Sequence, residues 1–488
     1  MINIVGRQEE VKILQQMLSS DMSEFLCLYG RRRVGKTFLI REFFQNEDAV
    51  FFNVTGAKDA PMMEQLKHFM SEQGRVFYHG AKLQTVKNWD DAFNALTQAF
   101  VASPINKPII LFFDELPWMA TKRSRLLQNL DYYWNQHWSR DQRIKLIVCG
   151  SSASWILHKI VRDKGGLYNR MTREIHLEPF NLLEVKSFLN SMGVNLNNQQ
   201  ILLLYMVTGG IPYYLIRAEK GLTAIQLIEK LAFSKKGFLL KEFDNLFGSL
   251  FDDDEVYADI VRAIGKYRYG IGQQELFNAL GKHAQGGAYS KKLKNLEETG
   301  FIMSYVPIFH KEKGVYYRIT DEYTLFYLKW IEPLRKNLQK IALSPGNWQE
   351  MQNSPEWNSW LGYAFENVCY NHLPAIRKAL HISPTAIADS WRYTPRKHDE
   401  EKGAQIDLLF DRKDGAITIC EIKYSTKPYV ITKEYVDNLR CKMAVFQKQT
   451  RTKKQLFIAM ITVMGLKNNY YAEDICSGVV TLGDLFKE

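Results

Sequence analysis

Eight consecutive residues, Gly30-Arg31-Arg32-Arg33-Val34-Gly35-Lys36-Thr37, have the types and spacing that phosphate chemistry needs. Glycines at the first and sixth places let backbone N–H groups wrap phosphate oxygens with no Cβ in the way. Lys36 brings a point charge to the β- and γ-phosphates, and Thr37 offers its hydroxyl to Mg²⁺. The pattern is that of a P-loop, and its expected nucleotide contacts are Gly30, Arg33, Val34, Gly35, Lys36, Thr37 and Phe38. Hydrolysis also needs a carboxylate for the Mg²⁺ shell and a group that aligns water with the γ-phosphate. The apolar run from Ile109 ends in Asp114-Glu115, which supplies both: Asp114 for the metal and Glu115 for the water. A further run, Leu146–Gly150, ends in Ser151, which could sense the γ-phosphate or the attacking water, or could simply form a turn.

A second set lies far downstream. Asp407 ends an apolar run, and fourteen residues later a second run delivers Glu421-Ile422-Lys423. A strand's period of two puts Glu421 and Lys423 on one face, which Asp407 could also reach. Two carboxylates that share a divalent ion, beside a lysine able to position or activate water, form a site for metal-dependent phosphodiester hydrolysis. Glu366, on a helical stretch upstream, is the acid best placed to join Asp407 and Glu421 as a ligand, with Mg²⁺ or Mn²⁺ as the ion. Asp399, Glu400 and Glu401 are alternatives. Lys433, Tyr435 and Gln447 read first as surface residues that could also meet phosphate.

The elements that position these residues follow from hydrophobic periodicity. From residue 1 to about 232, short apolar strands (Phe25–Tyr29, Ala49–Val54, Ile109–Asp114, Leu146–Gly150, Arg173–Leu177) alternate with helical patterns, which predicts a parallel sheet covered on both faces and followed by a helical lid. Over 252–335 the pattern gives three helices (Glu255–Gly265, Gln273–Leu280, Ala288–Thr299) and a strand pair (Phe301–Pro307, Val315–Ile319), the order of a winged helix, closed by an aromatic-rich helix Glu322–Leu334. Its third helix carries Tyr289, Ser290, Lys291, Lys292 and Lys294, and its hairpin His310, Lys311 and Lys313. Those groups suit DNA phosphate or shape recognition more than base reading; the same module could instead be a rigid joint. The Ser344-Pro345-Gly346-Asn347 turn marks a linker. Residues 350–488 give a helix around Trp357–Leu373, strands at Gln405–Phe410, Ala416–Tyr424 and Leu456–Val463, and a helix near Lys433–Gln447, a smaller α/β domain.

The chain's 488 residues, 46% apolar and 24% charged, suit about three folded domains. The six cysteines form no metal or disulfide spacing and read as reduced core residues. No apolar run approaches bilayer length and no leader pattern opens the chain, so no membrane partner and a cytoplasmic location are expected. A net charge of +11 and a pI near 9.1 favour a polyanionic partner such as DNA.

Together these residues resemble the extended AAA+ and signal-transducing (STAND) ATPases, in particular the prokaryotic family common in archaea. Val5-Gly6-Arg7 with Glu9 and Glu10 is similar to that family's adenine-packing segment, and Gly30-Arg31-Arg32-Arg33 to its arginine-bearing P-loop. Leu167-Tyr168-Asn169-Arg170 resembles the stretch with a sensor or finger arginine, and Gly209-Gly210-Ile211-Pro212 the GxP turn near the nucleotide. The resemblance implies that Val5, Gly6, Arg7 and Pro212 contact nucleotide and that Arg170 assists catalysis, in cis or across a homo-oligomer. The set Glu366…Asp407…Glu421-x-Lys423 resembles the PD-(D/E)xK nucleases, with Ile406 where many have proline, and implies a restriction-endonuclease-like domain. The expected cofactors are ATP and Mg²⁺. The function this implies is an ATPase coupled to DNA binding and metal-dependent cleavage. The rivals are a signalling ATPase with an inactive nuclease-like module and an ATP-gated defence effector.

Overall fold

The computed structural model describes residues 4–102, 106–161, 166–281, 287–307, 314–340, 347–395 and 403–487. The chain divides into two compact units, Met1–Pro179 and Phe180–Glu488.

The first unit is built on a five-stranded parallel sheet: β1 (Glu24–Tyr29), β2 (Val50–Thr55), β3 (Ile109–Asp114), β4 (Ile144–Gly150) and β5 (Arg173–His176), in the order β2-β3-β4-β1-β5. β1, β3 and β4 are buried at every position, as expected of strands covered on both faces. Phe52, Phe69, Phe93 and Phe113 pack with Trp89 and Trp138 on one side of the sheet. Because the strands run parallel, the carboxyl ends of β1, β3 and β4 open on the same edge, where α/β folds bind ligands. That edge carries the P-loop, Asp114-Glu115 and Ser151.

The second unit begins with helices Leu182–Ser191 and Asn198–Thr208, capped by Asn181 and Asn197. The helices read from sequence as a lid thus belong to this unit, where the Leu182 N–H is accepted by the buried His372 Nε2 at 3.1 Å. Helices Asp254–Gly265, Gln273–Leu280 and Gly287–Glu298 follow, with a small sheet of β6 (Ile271–Gly272), β7 (Ile302–Tyr305) and β8 (Tyr316–Ile319) in the order β6-β8-β7. His310, Lys311 and Lys313 lie outside the described residues, as do Ser344 to Gly346 of the linker turn and Asp399, Glu400 and Glu401. The aromatic helix expected over Glu322–Leu334 is regular only to Phe326. It widens at Tyr327–Ile331 and tightens at Glu332–Leu334, where Pro333 removes an N–H and crowds the preceding turn.

A cluster of Trp330, Trp348, Trp357 and Trp360 seats the helix Pro355–Asn371. That helix leads to a mixed sheet, β9 (Ile387–Tyr393), β10 (Ala404–Asp411), β11 (Ala416–Lys423), β12 (Gln455–Thr462) and β13 (Cys476–Thr481), ordered β13-β12-β11-β10-β9. β9 and β13 carry no clean apolar alternation in the sequence, since Asp389 and Arg392 fall in one and Ser477-Gly478 in the other. All six cysteines are free; Cys27, Cys149, Cys369 and Cys420 are buried, but Cys441 is exposed on the helix Lys433–Thr450, which corrects the expectation that all are core residues.

Candidate functional site

The P-loop connects β1 to the helix Lys36–Phe44. Gly35, at φ 97°, is the N-cap and supplies no side-chain acceptor, so the first N–H groups of the helix are left for an anion. A Cβ added at Gly35 would meet nothing within 4 Å, which leaves the approach open. Gly30 is different. Its φ of 147° is disfavoured for L-residues, and a Cβ there would overlap the Leu177 carbonyl oxygen. Gly30→Ala is therefore expected to cost roughly 1–3 kcal/mol in backbone strain alone, seen as a drop of several degrees in melting temperature.

Lys36 is buried and its Nζ donates to the carbonyls of Gly30 and Arg31, both at 2.9 Å. Burial lowers its pKa, opposed by Cys149, Glu115 and Asp114. The Thr37 hydroxyl donates to Asp114 Oδ2 at 2.9 Å, so the hydroxyl from the helix and the carboxylate from β3 already meet. Two hard oxygen donors in contact are the set that Mg²⁺ takes. Glu115 occupies the left-handed region at φ 48°, a conformation uncommon outside glycine. Its Oε2 accepts from the Ser151 backbone N–H at 3.0 Å and from the Ser151 hydroxyl at 2.9 Å, which ties the end of β3 to the end of β4.

Arg7 is buried, and one of its guanidinium nitrogens donates to the Val34 carbonyl at 3.3 Å. Val5 and Gly6 immediately precede it, so the opening segment lies against the P-loop. Val34 is buried and Phe38 exposed on the first turn of the helix, while Arg33 holds φ 74°. Arg170 ends a 3₁₀ turn, Gly166–Arg170, and is exposed. Pro212 opens a short helix in the second unit, after Gly209 and Gly210 at positive φ.

In the second unit, antiparallel pairing sets Leu408 opposite Cys420. Asp407 lies one residue further along, at an irregularity in the β9–β10 pairing between Ile406 and Leu409. Such bulges re-aim a side chain, and Asp407 Oδ2 accepts from the Ile422 N–H at 3.1 Å. Lys423 Nζ stands 3.5 Å from Glu421 Oε2 and 4.0 Å from Asp407 Oδ2, so both carboxylates converge on one cation. Burial alone would lower the Lys423 pKa; Glu421 and Asp407 outweigh it and raise it. The two carboxylates are oxygen donors of the kind a hard divalent ion takes, but here the Lys423 ammonium stands between them. Among the described residues, however, no group of three or more His, Cys, Asp or Glu side chains is arranged to hold a metal. Glu366 makes an ion pair with Arg268 at 2.7 Å.

Lys442 escaped the sequence reading, and Tyr435, which reads there first as a surface residue, is a partner of Glu421. Lys442 Nζ donates to both oxygens of Glu421, at 2.7 and 2.8 Å, and the Tyr435 hydroxyl donates to Oε2 at 3.1 Å. Tyr435 and Lys442 are seven residues apart on one helix face, the one signal available in advance. Arg268 had none, because it reaches Glu366 across 98 positions. Burial, then Asp407, raises the Glu366 carboxyl to about 7 against the pull of Arg268. A raised acid pKa favours the protonated folded state, so its contribution is full below about 4.5 and lost as pH rises through about 7. Wild-type melting temperature should therefore fall between pH 5 and 8 relative to Glu366→Gln, as thermal melts across that range would show.

Residues 4–218 match an ATPase domain described as predominantly from Archaea. With the P-loop at the carboxyl edge of a parallel sheet, the chain carries an archaeal-type ATPase domain, and the match supports ATP hydrolysis. Residues 327–436 match archaeal and bacterial proteins of unknown function. The chain is 28% identical over 426 residues to the uncharacterized protein MJECL04 of Methanocaldococcus jannaschii, covering 86% of this chain and 87% of that one. An uncharacterized ATP-binding protein of the same organism, MJ0423, is 41% identical over 46 residues, 9% of this chain and 78% of its own. Among solved structures, the Walker-type ATPase PABY2304 of Pyrococcus abyssi is similar at 19% identity and a TM-score of 0.46, covering 67% of this chain and 96% of its own. The ORC2 protein of Aeropyrum pernix, in ADPNP–ADP complexes, follows at 17% identity and a TM-score of 0.44, covering 69% and 96%. Among the described residues no helix is long and apolar enough to cross a membrane.

Proposed function

We propose that this chain is an ATP-driven switch in which hydrolysis in the first unit governs DNA binding and metal-dependent DNA cleavage by the second. The observation that carries the ATP half is the pair of contacts at one sheet edge, Thr37 to Asp114 and Glu115 to Ser151. Thr37 and Asp114 would hold Mg²⁺, which neutralises charge on the β- and γ-phosphates. Lys36 leaves the Gly30 and Arg31 carbonyls to reach the phosphates, and Glu115, held by Ser151, aligns the attacking water. Arg170 and Arg7 are the further nucleotide contacts of this reading.

The cleavage half rests on Asp407, Glu421 and Lys423 meeting at one point. Asp407 and Glu421 would hold Mg²⁺ or Mn²⁺, which would polarise a phosphoryl oxygen and supply a nucleophile from water, while Glu366 is paired with Arg268. Lys423 positions that water or the leaving oxygen. The three helices with β6–β8, read as a winged helix, present phosphate-binding groups. The test is incubation of linear, supercoiled and four-way-junction DNA with Mg²⁺ or Mn²⁺, with and without ATP. Cleavage that depends on metal and changes with ATP supports the coupling; none under any condition removes it.

One observation favours a second reading, a regulatory ATPase whose C-terminal fold binds without cutting: Lys442 holds both oxygens of Glu421. Calorimetry with Mn²⁺ separates the two. Heat that disappears in Asp407→Asn supports the nuclease, and no heat in the unsubstituted protein supports the regulator.

A further inference from the structure

Gln65, on the helix Met62–Phe77 that follows β2, is only 1% exposed. A buried amide is costly unless both its ends are bonded, and this one is bonded to main chain from two loops. Its Oε1 accepts from the Ala57 N–H at 3.0 Å and its Nε2 donates to the Ala57 carbonyl at 2.6 Å, so the side chain pairs with Ala57 as a neighbouring strand would. The same Nε2 donates to the Trp118 carbonyl at 3.2 Å and, at 3.4 Å, to that of Ala60.

Trp118 belongs to the short helix Leu116–Met119, for which Glu115 is the N-cap. Its N–H donates to the Glu115 carbonyl at 2.9 Å. A helix this short leaves its last carbonyls to outside donors, and Gln65 supplies one. Gly56 fits closely against the same turn: its N–H donates to the Asp114 carbonyl at 2.8 Å, and a Cβ there would come within 2.5 Å of the Glu115 carbonyl oxygen. Arg32 of the P-loop lies 5.7 Å from the Trp118 ring centre. Glu115 itself, at φ 48° and ψ 47°, keeps a conformation that a residue other than glycine holds only where its surroundings impose it.

We propose that Gln65 is a positioning residue for ATP hydrolysis: through Trp118 it fixes the main chain of the Glu115 turn, and with it the line along which Glu115 meets the attacking water. The proposal rests on the reading of Glu115 as the group that aligns that water. Ser151 holds the Glu115 carboxylate from β4, and Gln65 holds the backbone beneath it from the helix after β2. Without Gln65 the turn is free to leave the left-handed region, which carries the carboxylate away from the γ-phosphate.

The test is single-turnover hydrolysis of radiolabelled ATP with Mg²⁺ and the full chain in excess, on Gln65→Met, Glu115→Gln and the double variant. Gln65→Met nearly keeps the volume of the side chain and removes its hydrogen bonds. It should slow hydrolysis between about tenfold and a hundredfold, while the Kd for ATP, from calorimetry, changes by less than about threefold. In the double variant the two losses should not multiply. Its rate should lie within about twofold of Glu115→Gln alone, because Gln65 acts through Glu115. All assays run below the melting transition of each variant; if Gln65→Met does not fold, Gln65→Asn takes its place, an amide one methylene too short to span Ala57 and Trp118. A Gln65 variant at the wild-type rate, or losses that multiply, overturns the role of Gln65 and leaves Glu115 as the aligning group. Glu115→Gln at the wild-type rate overturns the reading on which the proposal rests.

Discussion

Lys36→Ala is expected to take ATP turnover to background, the largest single effect on the first unit. Lys36 is buried, its Nζ held by the Gly30 and Arg31 carbonyls, and in the proposed reading it is the cation that follows charge onto the γ-phosphate. Removing one preorganised donor from a site of charge development costs about 10²–10³ in rate, and loss of a full charge exceeds that. Steady-state phosphate release reads the effect. Turnover within about threefold of wild type would refute the P-loop assignment. Glu115→Gln sharpens the result, because it keeps the shape of the side chain beside Ser151 and removes its basicity. It should retain nucleotide binding while hydrolysis drops, which Lys36→Ala should not.

The second large effect concerns Glu421. The carboxylate is fully buried and is surrounded by Lys442, Lys423 and Tyr435. Glu421→Ala leaves Lys442 without its carboxylate and Lys423 with Asp407 alone; because both ammonium groups stay partly exposed, the cost falls below the roughly 3–5 kcal/mol of breaking a fully buried pair. A melting-temperature drop is thus expected whatever the site does, and lost cleavage in that variant alone decides nothing. The decisive comparison is Glu421→Gln/Lys442→Met, which removes both members of the pair and should recover most of the stability. Metal-dependent cleavage should stay lost in the double variant and in Asp407→Asn. If the double variant is stable and still cuts, Glu421 is structural and the metal assignment is wrong.

The structure reproduced the strand bearing Asp114 with the same ends as the periodicity, Ile109–Asp114, and the helix Gln273–Leu280 likewise. Both are bounded by abrupt changes in residue type, an apolar run meeting acids in one case and glycine in the other. β9 lacks a clean alternation because the acid Asp389 shares its buried face with Trp391, while Arg392 lies on the opposite, exposed face. The aromatic helix loses its regular form at Tyr327, ahead of Pro333, which stands among eight aromatic and aliphatic residues of Glu322–Leu334.

By itself the sequence determined the phosphate loop, the acids at the end of β3, and the pairing of Glu421 with Lys423 on one face. Each rests on spacing within a single turn or strand, where backbone geometry alone brings the groups together. Only the tertiary structure decided that Ser151 holds Glu115, that Lys442 neutralises Glu421 and that Arg268 meets Glu366. Those contacts span 36, 21 and 98 positions. Which elements become neighbours depends on strand order, register and packing, and a buried carboxylate then takes whatever cation that packing brings to it.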